Sequence, residues 1–238
     1  MTTPSLSASA DDAVPAQRAG IDWLFTVAVL AIAAALARII YYTPFEAIQG
    51  PAQKIFYLHL PAAMLAFVSF GIVALAGIGY LWLGDPRLDR AAESAAEVGV
   101  VFTTVVLVTG PIWARPVWGT WWTWDARLTL TLFLWFIYVG YLVLRGAIDD
   151  RALRARYSAI LGILGSLLIP FIHVSVYLFR TLHPRPIVIK PSAPSLPPEM
   201  LTTLLISFGA FALLFLALLR QRYRLAAERE LLELEEGR

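Results

Sequence analysis

Three histidines are the candidate metal ligands of this 238-residue chain, which contains no cysteine. A neutral imidazole nitrogen is the commonest metal ligand in proteins. His59 lies near the start of one long apolar segment, His173 lies inside another, and His183 follows the end of that second segment. A histidine in such a segment is often only a hydrogen-bonded helix residue, but ionisable groups there are candidates for function.

A cluster of tryptophans is the second unusual feature. Five of the eight tryptophans fall within the twelve residues from Trp113 to Trp124. An aromatic belt at a membrane interface is one interpretation, but a belt distributes its rings over many helix ends. Trp118, Trp121, Trp122 and Asp125 recur at helical spacing, so we predict a short interfacial helix with a flat aromatic face. Such a face suits a flat, apolar, conjugated ligand.

Two arginines bracket the predicted aromatic face, residues 118–125, and indicate that the edge of such a ligand carries negative charge. Arg115 and Arg127 each present a guanidinium, which pairs bidentately with carboxylates. A flat apolar disc with two carboxylates at its edge describes haem. Without cysteine no thioether attachment is possible, so the chain would hold haem b non-covalently. Asp125, the only acid of the segment, is expected to cap a helix or hold Arg127, and no enzymatic site is predicted.

The composition places the whole chain in a membrane. Apolar residues make up 59% and charged residues only 15%, against about 45–50% and about 25% in soluble domains. This excludes an ordinary soluble enzyme, a disordered tail and a nucleic-acid binder. We predict an all-α, polytopic bundle of six transmembrane helices from six apolar segments: Trp23–Ala37 extended to Tyr42, Ile55–Gly84, Val98–Ala114, Leu128–Leu144, Tyr157–Phe179 and Met200–Leu219. The first segment could instead be a cleaved signal peptide.

Basic residues indicate the orientation of the bundle. If both termini are cytoplasmic, twelve of the 19 basic residues lie inside, as the positive-inside rule requires. The predicted organisation is a flexible cytoplasmic lead over 1–19, a six-span domain over 20–220 and a cytoplasmic tail helix over 221–238. Residues 113–129 would then face the periplasm. The outer connection Arg180–Glu199 contains six prolines and is predicted to be extended.

Depth separates the three histidines. His59 and His183 lie at the outer ends of their segments, level with the tryptophans, whereas His173 lies about 15 Å deeper in a continuous helix. Depth therefore favours His59 and His183 as a pair of axial haem ligands. His173 stays open as a hydrogen-bonding partner or a transient ligand.

The run WGTWWTWDARLT, Trp118 to Thr129, resembles the WWD signature of haem-handling proteins of cytochrome c maturation. With six spans and the settings of His59 and His183, the chain is similar to the CcmC family from Trp23 to Leu219. The resemblance implies a non-enzymatic protein of the bacterial inner membrane that holds haem at the periplasmic face. It also implies work with the ABC subunits CcmA and CcmB and with CcmD, in support of haem transfer to the chaperone CcmE.

The resemblance assigns roles to individual residues. It implies that His59 and His183 are the axial ligands and that the ring lies against Trp118, Trp121, Trp122, Trp124 and Asp125. Lys54 stands at the position of a basic residue that precedes the Tyr-Leu-His motif. An ammonium lacks the guanidinium fork, so a propionate contact is weaker for Lys54 than for Arg127.

Two other functions remain alternatives at this stage. A b-type electron-transfer subunit would need histidines at two membrane depths, and His173 could supply one of them. A haem permease would need a polar path through the spans, and it would need ATP from a partner, because the chain has no G-x-x-x-x-G-K loop.

Overall fold

We describe the fold from a computed structural model, which describes residues 21–184 and 195–236. The predicted lead over 1–19 and the central part of the proline-rich connection 180–199 lie outside the described residues.

The described residues form helices and contain no strand beyond one isolated bridge, Glu46 to Gly50. This confirms the all-α prediction. Six helical segments are long and apolar enough to cross a membrane, which confirms the predicted number of spans. The helices are α1 (Trp23–Tyr41), α2 (Phe56–Leu83), α3 (Pro86–Trp118), α4 (Ala126–Ala147), α5 (Arg151–Ser166), α6 (Leu168–Leu178) and α7 (Pro198–Glu236), with a 3₁₀ helix at Pro51–Ile55. The helices α5 and α6 together make the fifth span and are separated at Leu167.

Aspartates and glycines set several helix ends. Asp22, Asp85, Asp125 and Asp150 each accept a hydrogen bond from a backbone N–H in the first turn of the helix that follows. Gly84 ends α2, and Gly119 likewise ends α3, each in the left-handed conformation that favours glycine. The connection from α2 to α3 is therefore only two residues long.

The predicted short interfacial helix in the tryptophan segment is not formed. The helix α3 continues to Trp118 and stops at Gly119, whose φ is 77°. Residues 119–125 are non-helical, and α4 begins after the Asp125 cap. Within this connection Thr120 Oγ1 donates to the carbonyl of Trp122 at 3.0 Å, a local bond that competes with helical pairing.

The centre of the bundle is α2, which packs closely on α3 and α5. Ser69 Oγ donates to the carbonyl of Ala95 at 2.5 Å, and Gly99 lies directly against the Phe70 ring. On the other side, Gly162 of α5 meets Val73. Small residues at these contacts allow backbones to approach closely, which is how membrane helices gain packing energy.

The bundle has two chemically different ends. At one end, which we call the ion-pair end, Arg145 of α4 donates to Asp89 at 2.7 Å and to Glu93 at 2.9 Å, both on α3. There Arg90 also pairs with Glu230 at 2.7 Å, which fastens the last turns of α7 to α3. The opposite end, which we call the tryptophan end, carries residues 113–125, the start of α2 and the end of α6.

Candidate functional site

A cavity opens at the tryptophan end between α2, α3, α4 and α6. It contains about 820 Å³ of empty space, including its open mouth. Most of its wall is apolar. The lining residues are His59, Ala63, Ala66, Phe67, Thr103, Val106, Leu107, Gly110, Pro111, Trp113, Ala114, Trp118, Trp121, Trp122, Arg127, Leu128, Thr131, Ile172 and His183.

His59 stands in the first turn of α2 and is held by α3. Its Nδ1 lies 2.9 Å from Thr109 Oγ1. The indole of Trp113 meets the imidazole edge-on, with centroids 5.8 Å apart and planes at 68°. A Cβ at Gly110 would lie 3.4 Å from His59 Cε1, which places this part of α3 directly beside the ring. The orientation of this imidazole is therefore set by three neighbours on one helix.

His183 reaches the same cavity from the connection after α6. Its Nδ1 lies 3.0 Å from the carbonyl oxygen of Pro184, which only accepts, so Nδ1–H donates and Nε2 keeps its lone pair. Burial of the ring, together with the nearby Arg127 guanidinium, lowers the pKa of His183 to about 4. The imidazole is therefore neutral at physiological pH and able to bind a metal.

Two buried donors in the cavity wall have no partner within the described part of the chain. They are Nη1 of Arg127, in the first turn of α4, and Nε1 of Trp122. Buried polar atoms are nearly always hydrogen-bonded, so these two donors fit a ligand that brings acceptor groups into the cavity. A carboxylate at the mouth would satisfy the arginine.

The tryptophan segment divides into residues inside and outside the wall. Trp118, Trp121 and Trp122 line the cavity. Trp124 is 77% exposed and is not among the lining residues. Asp125 caps α4 by accepting from the Leu128 N–H at 3.1 Å, which is the structural role predicted for it.

The other two predicted cations also stand outside the wall. Arg115 donates to the carbonyl of Gly119 at the end of α3. Lys54 donates to the carbonyl of Ile40 at 2.7 Å and lies 4.7 Å from the Phe45 ring centroid. Both side chains therefore hold turns of the tryptophan end together, while Arg127 is the cation that the structure brings to the histidines.

His173 is exposed on α6 and does not line the cavity. Its neighbour in sequence, Ile172, is instead fully buried and lines the cavity. The structure thus brings together His59 and His183, the pair that depth favours.

Sequence reasoning missed two residues of α3 that shape the site, Thr109 and Gly110, and it did not connect Trp113 of the tryptophan cluster with His59. A usable signal was present, because Thr109 and Trp113 are four residues apart and share a helix face. That face could be connected to His59 only once the packing of α2 on α3 was known.

Comparison with known proteins supports the resemblance. A sequence profile described as "Heme exporter protein C" matches residues 5–235. The chain belongs to the CcmC family. It is 38% identical over 198 residues to Heme exporter protein C of Bradyrhizobium diazoefficiens, covering 83% of this chain and 75% of that protein. The corresponding Escherichia coli K12 protein is 40% identical over 164 residues, covering 68% and 66% of the two chains.

The similarity extends beyond bacteria. A putative cytochrome c biosynthesis ccmC-like mitochondrial protein of Marchantia polymorpha is 33% identical over 192 residues, covering 81% of this chain and 78% of that protein. Membership of the CcmC family and six membrane-spanning helices together make the chain a multi-pass membrane protein.

Proposed function

We propose that this protein holds haem b non-covalently in the cavity at the tryptophan end and presents it for cytochrome c maturation. His59 and His183 are the axial ligands of the iron, and Arg127 binds a propionate. Trp118, Trp121 and Trp122 pack against the ring. Relatives that carry the name Heme exporter protein C support a role in haem handling.

The observation that carries the proposal is the pair of imidazoles in one apolar cavity. Two histidines alone do not make a protein metal site, since structural and catalytic zinc sites use three or four protein ligands. Within the described residues no group of three or more His, Asp or Glu side chains could hold an ion. Haem resolves this mismatch, because its macrocycle supplies four nitrogen ligands and needs only axial ones from the protein.

The rest of the wall fits the same cargo. Apolar residues such as Phe67, Leu107 and Ile172 line the cavity, where they would exclude water from the apolar part of the ring. Arg127 stands with the histidines at the mouth, where propionates would emerge. Trp121 lines the mouth and is 58% exposed, so a bound ring would remain accessible to an acceptor.

We place the tryptophan end in the periplasm and both termini in the cytoplasm. Arg87, Arg90, Arg145 and Arg151 lie at or beside the ion-pair end, in keeping with the positive-inside rule. In this orientation the haem faces the chaperone CcmE. The ABC subunits CcmA and CcmB and the small protein CcmD complete the complex in the inner membrane.

The protein acts by binding and handing over, not by catalysis. Its two imidazoles form coordinate bonds, which an acceptor can replace without breaking a covalent link to the protein. Arg127 orients the disc through its carboxylate rim. The cavity residues contain no nucleophile paired with a general base, which a group-transfer enzyme would need.

The test is the haem content of the purified full-length protein in detergent. We expect one haem per chain and a low-spin absorption spectrum, and we expect His59→Ala and His183→Ala each to lose most of the haem. His173→Ala is the matched control, because it removes the third imidazole from the outer face of α6, and it should retain full haem. Unchanged haem content and spectra in both His59→Ala and His183→Ala would refute the ligand assignment.

The number of haems per chain also distinguishes haem presentation from the alternative, an electron-transfer subunit. Two haems would require four histidine ligands, or other axial ligands, whereas the chain has three histidines. One haem that an added acceptor protein removes supports presentation, and two haems that persist would support an electron-transfer subunit.

A further inference from the structure

Thr109 connects the first turn of α2 to α3 through the imidazole of His59. Its Oγ1 lies 2.9 Å from His59 Nδ1 and 2.7 Å from the carbonyl oxygen of Val105, one turn earlier in α3. The hydroxyl thus lies between His59 Nδ1 and the carbonyl oxygen of Val105, which can only accept a hydrogen bond.

The single hydrogen of the Thr109 hydroxyl decides the direction of its hydrogen bonds to Val105 and His59. A threonine hydroxyl has one hydrogen to donate and can accept as well. The short bond to Val105 uses that hydrogen, so Oγ1 accepts from the imidazole and Nδ1 carries the proton. A neutral imidazole with a proton on Nδ1 leaves the lone pair on Nε2, the only ring nitrogen free to face the cavity.

The surroundings of His59 restrict the ring to this arrangement. Trp113 packs edge-on against the imidazole, and Gly110 lies beside Cε1. A flip of the ring about Cβ–Cγ would exchange Nδ1 with Cδ2 and Nε2 with Cε1, so the bond to Thr109 would be lost. Within the described residues, the hydrogen bonds of His183 are made to Thr181 and Pro184 of its own connection and not to a neighbouring helix.

We infer that Thr109 is the positioning residue of His59: it selects the tautomer and ring orientation that direct Nε2 at the haem iron. Thr109 does not touch the cargo in this arrangement and acts only through the histidine. The inference rests on the proposed function, because it assumes that His59 is an iron ligand. Hydrogen-bond partners of this kind orient metal-binding histidines, and their loss typically lowers metal affinity about 10–100-fold.

The first experiment measures the histidine directly, without haem. In the haem-free protein labelled with ¹⁵N-histidine, protonated and bare ring nitrogens differ widely in chemical shift, and His59→Gln identifies the His59 signals. We expect the wild type to show a proton on Nδ1 of His59. Thr109→Val, which keeps the side-chain shape and removes the hydroxyl, should give a mixture of tautomers.

The second experiment titrates haemin into detergent-solubilised protein. Thr109→Val should weaken haemin binding about 10-fold or more, in line with the loss of an orienting partner. It should also shift the electron paramagnetic resonance spectrum of the ferric low-spin form. Thr109→Ser keeps the hydroxyl and should restore the wild-type spectrum and most of the affinity.

A matched control uses another threonine with the same bond to its own helix. Thr202 Oγ1 donates to the carbonyl of Pro198 at 2.8 Å and is exposed on α7. Thr202→Val should change neither haemin affinity nor the histidine spectrum. If Thr109→Val folds poorly, Thr109→Ser and the wild type still test the tautomer through the ¹⁵N spectrum.

The outcomes distinguish the positioning role of Thr109 from the proposed function, in which His59 is an iron ligand. If His59→Ala abolishes haem binding but Thr109→Val leaves affinity, tautomer and spectrum unchanged, the positioning role is wrong and the proposed function stands. If His59→Ala keeps full haem, the ligand assignment itself is wrong. An Nδ1 without a proton in the wild type would also overturn the inference.

Discussion

The rings of Phe70 on α2 and Tyr138 on α4 stack with their centroids 3.7 Å apart and their planes 13° from parallel. Phe70 lies one helical turn below Ala66, which is part of the cavity wall, and both stacked side chains are fully buried. The Tyr138 hydroxyl donates to the carbonyl of Gly162 at 2.8 Å, which fastens the stack to α5. This pair therefore forms a packed layer between the cavity and the ion-pair end.

Gly99 is the position where this layer is most sensitive to added volume. A Cβ there would collide with Cε1 and Cδ1 of Phe70. Gly99→Ala should force Phe70 off the Tyr138 ring and cost about 1–3 kcal/mol of stability, the usual penalty for overpacking. Thermal unfolding in detergent measures the loss. Gly140→Ala on α4 meets nothing within 4 Å and should be neutral, and equal melting temperatures for both variants would contradict this account.

Arg145 is the central cation of the ion-pair end, and only 6% of its side chain is exposed. Arg145→Met would leave Asp89 and Glu93 without their shared partner, which should destabilise the fold by about 3–5 kcal/mol. Adding Asp89→Asn should recover part of that loss. Exposed Arg87 supplies the control, since Arg87→Met should leave the melting temperature nearly unchanged. A melting temperature of Arg145→Met equal to that of the control would mean that the ion pairs do not stabilise the bundle.

Arg127 should show opposite effects on stability and on binding. Without a ligand its buried Nη1 has no partner in the described residues, so Arg127→Met should leave the haem-free protein as stable or more stable. The same change should weaken haemin binding about 10-fold or more, since a hydrogen bond to a charged group contributes about 1.5–3 kcal/mol. Melting curves measure the stability of the haem-free protein, and haemin titrations measure the affinity. Arg180→Met, at an exposed position after α6, should alter neither, and a haem-free Arg127→Met protein that is clearly less stable would refute the unpaired state.

Two neighbouring tryptophans of one motif should differ in their effect on haem. Trp122 lines the cavity, whereas Trp124 is 77% exposed outside it. Trp122→Ala should lower haem retention because it removes a wall and an indole donor, and Trp124→Ala should retain most of the haem. Absorption at the Soret band, normalised to protein, compares the two variants. Equal losses would show that the bound ring reaches further over the motif than the cavity does.

The six spans follow from composition and length, because a bilayer requires long apolar segments whatever their packing. The pairing of His59 with His183 was also predictable, since both lie at the same depth. The absence of the predicted interfacial helix could not be predicted in the same way. Gly119, Thr120 and Asp125 end one helix and begin the next within a few residues. Local hydrogen bonds there outweighed the helical spacing of the tryptophans.

Sequence alone thus determined that this protein lies in a membrane and how many spans it has. It also identified the histidines and aromatic residues at one end. The tertiary structure decided which of those residues share a cavity. Lys54 and Arg115 were candidates by charge, but their nearest acceptors proved to be the backbone carbonyls of Ile40 and Gly119. Arg127 alone of these cations has an unpaired donor in the wall. The physical reason is that spacing along a helix specifies a face, whereas the partner of that face depends on packing between segments far apart in the chain, as with His59 and Thr109.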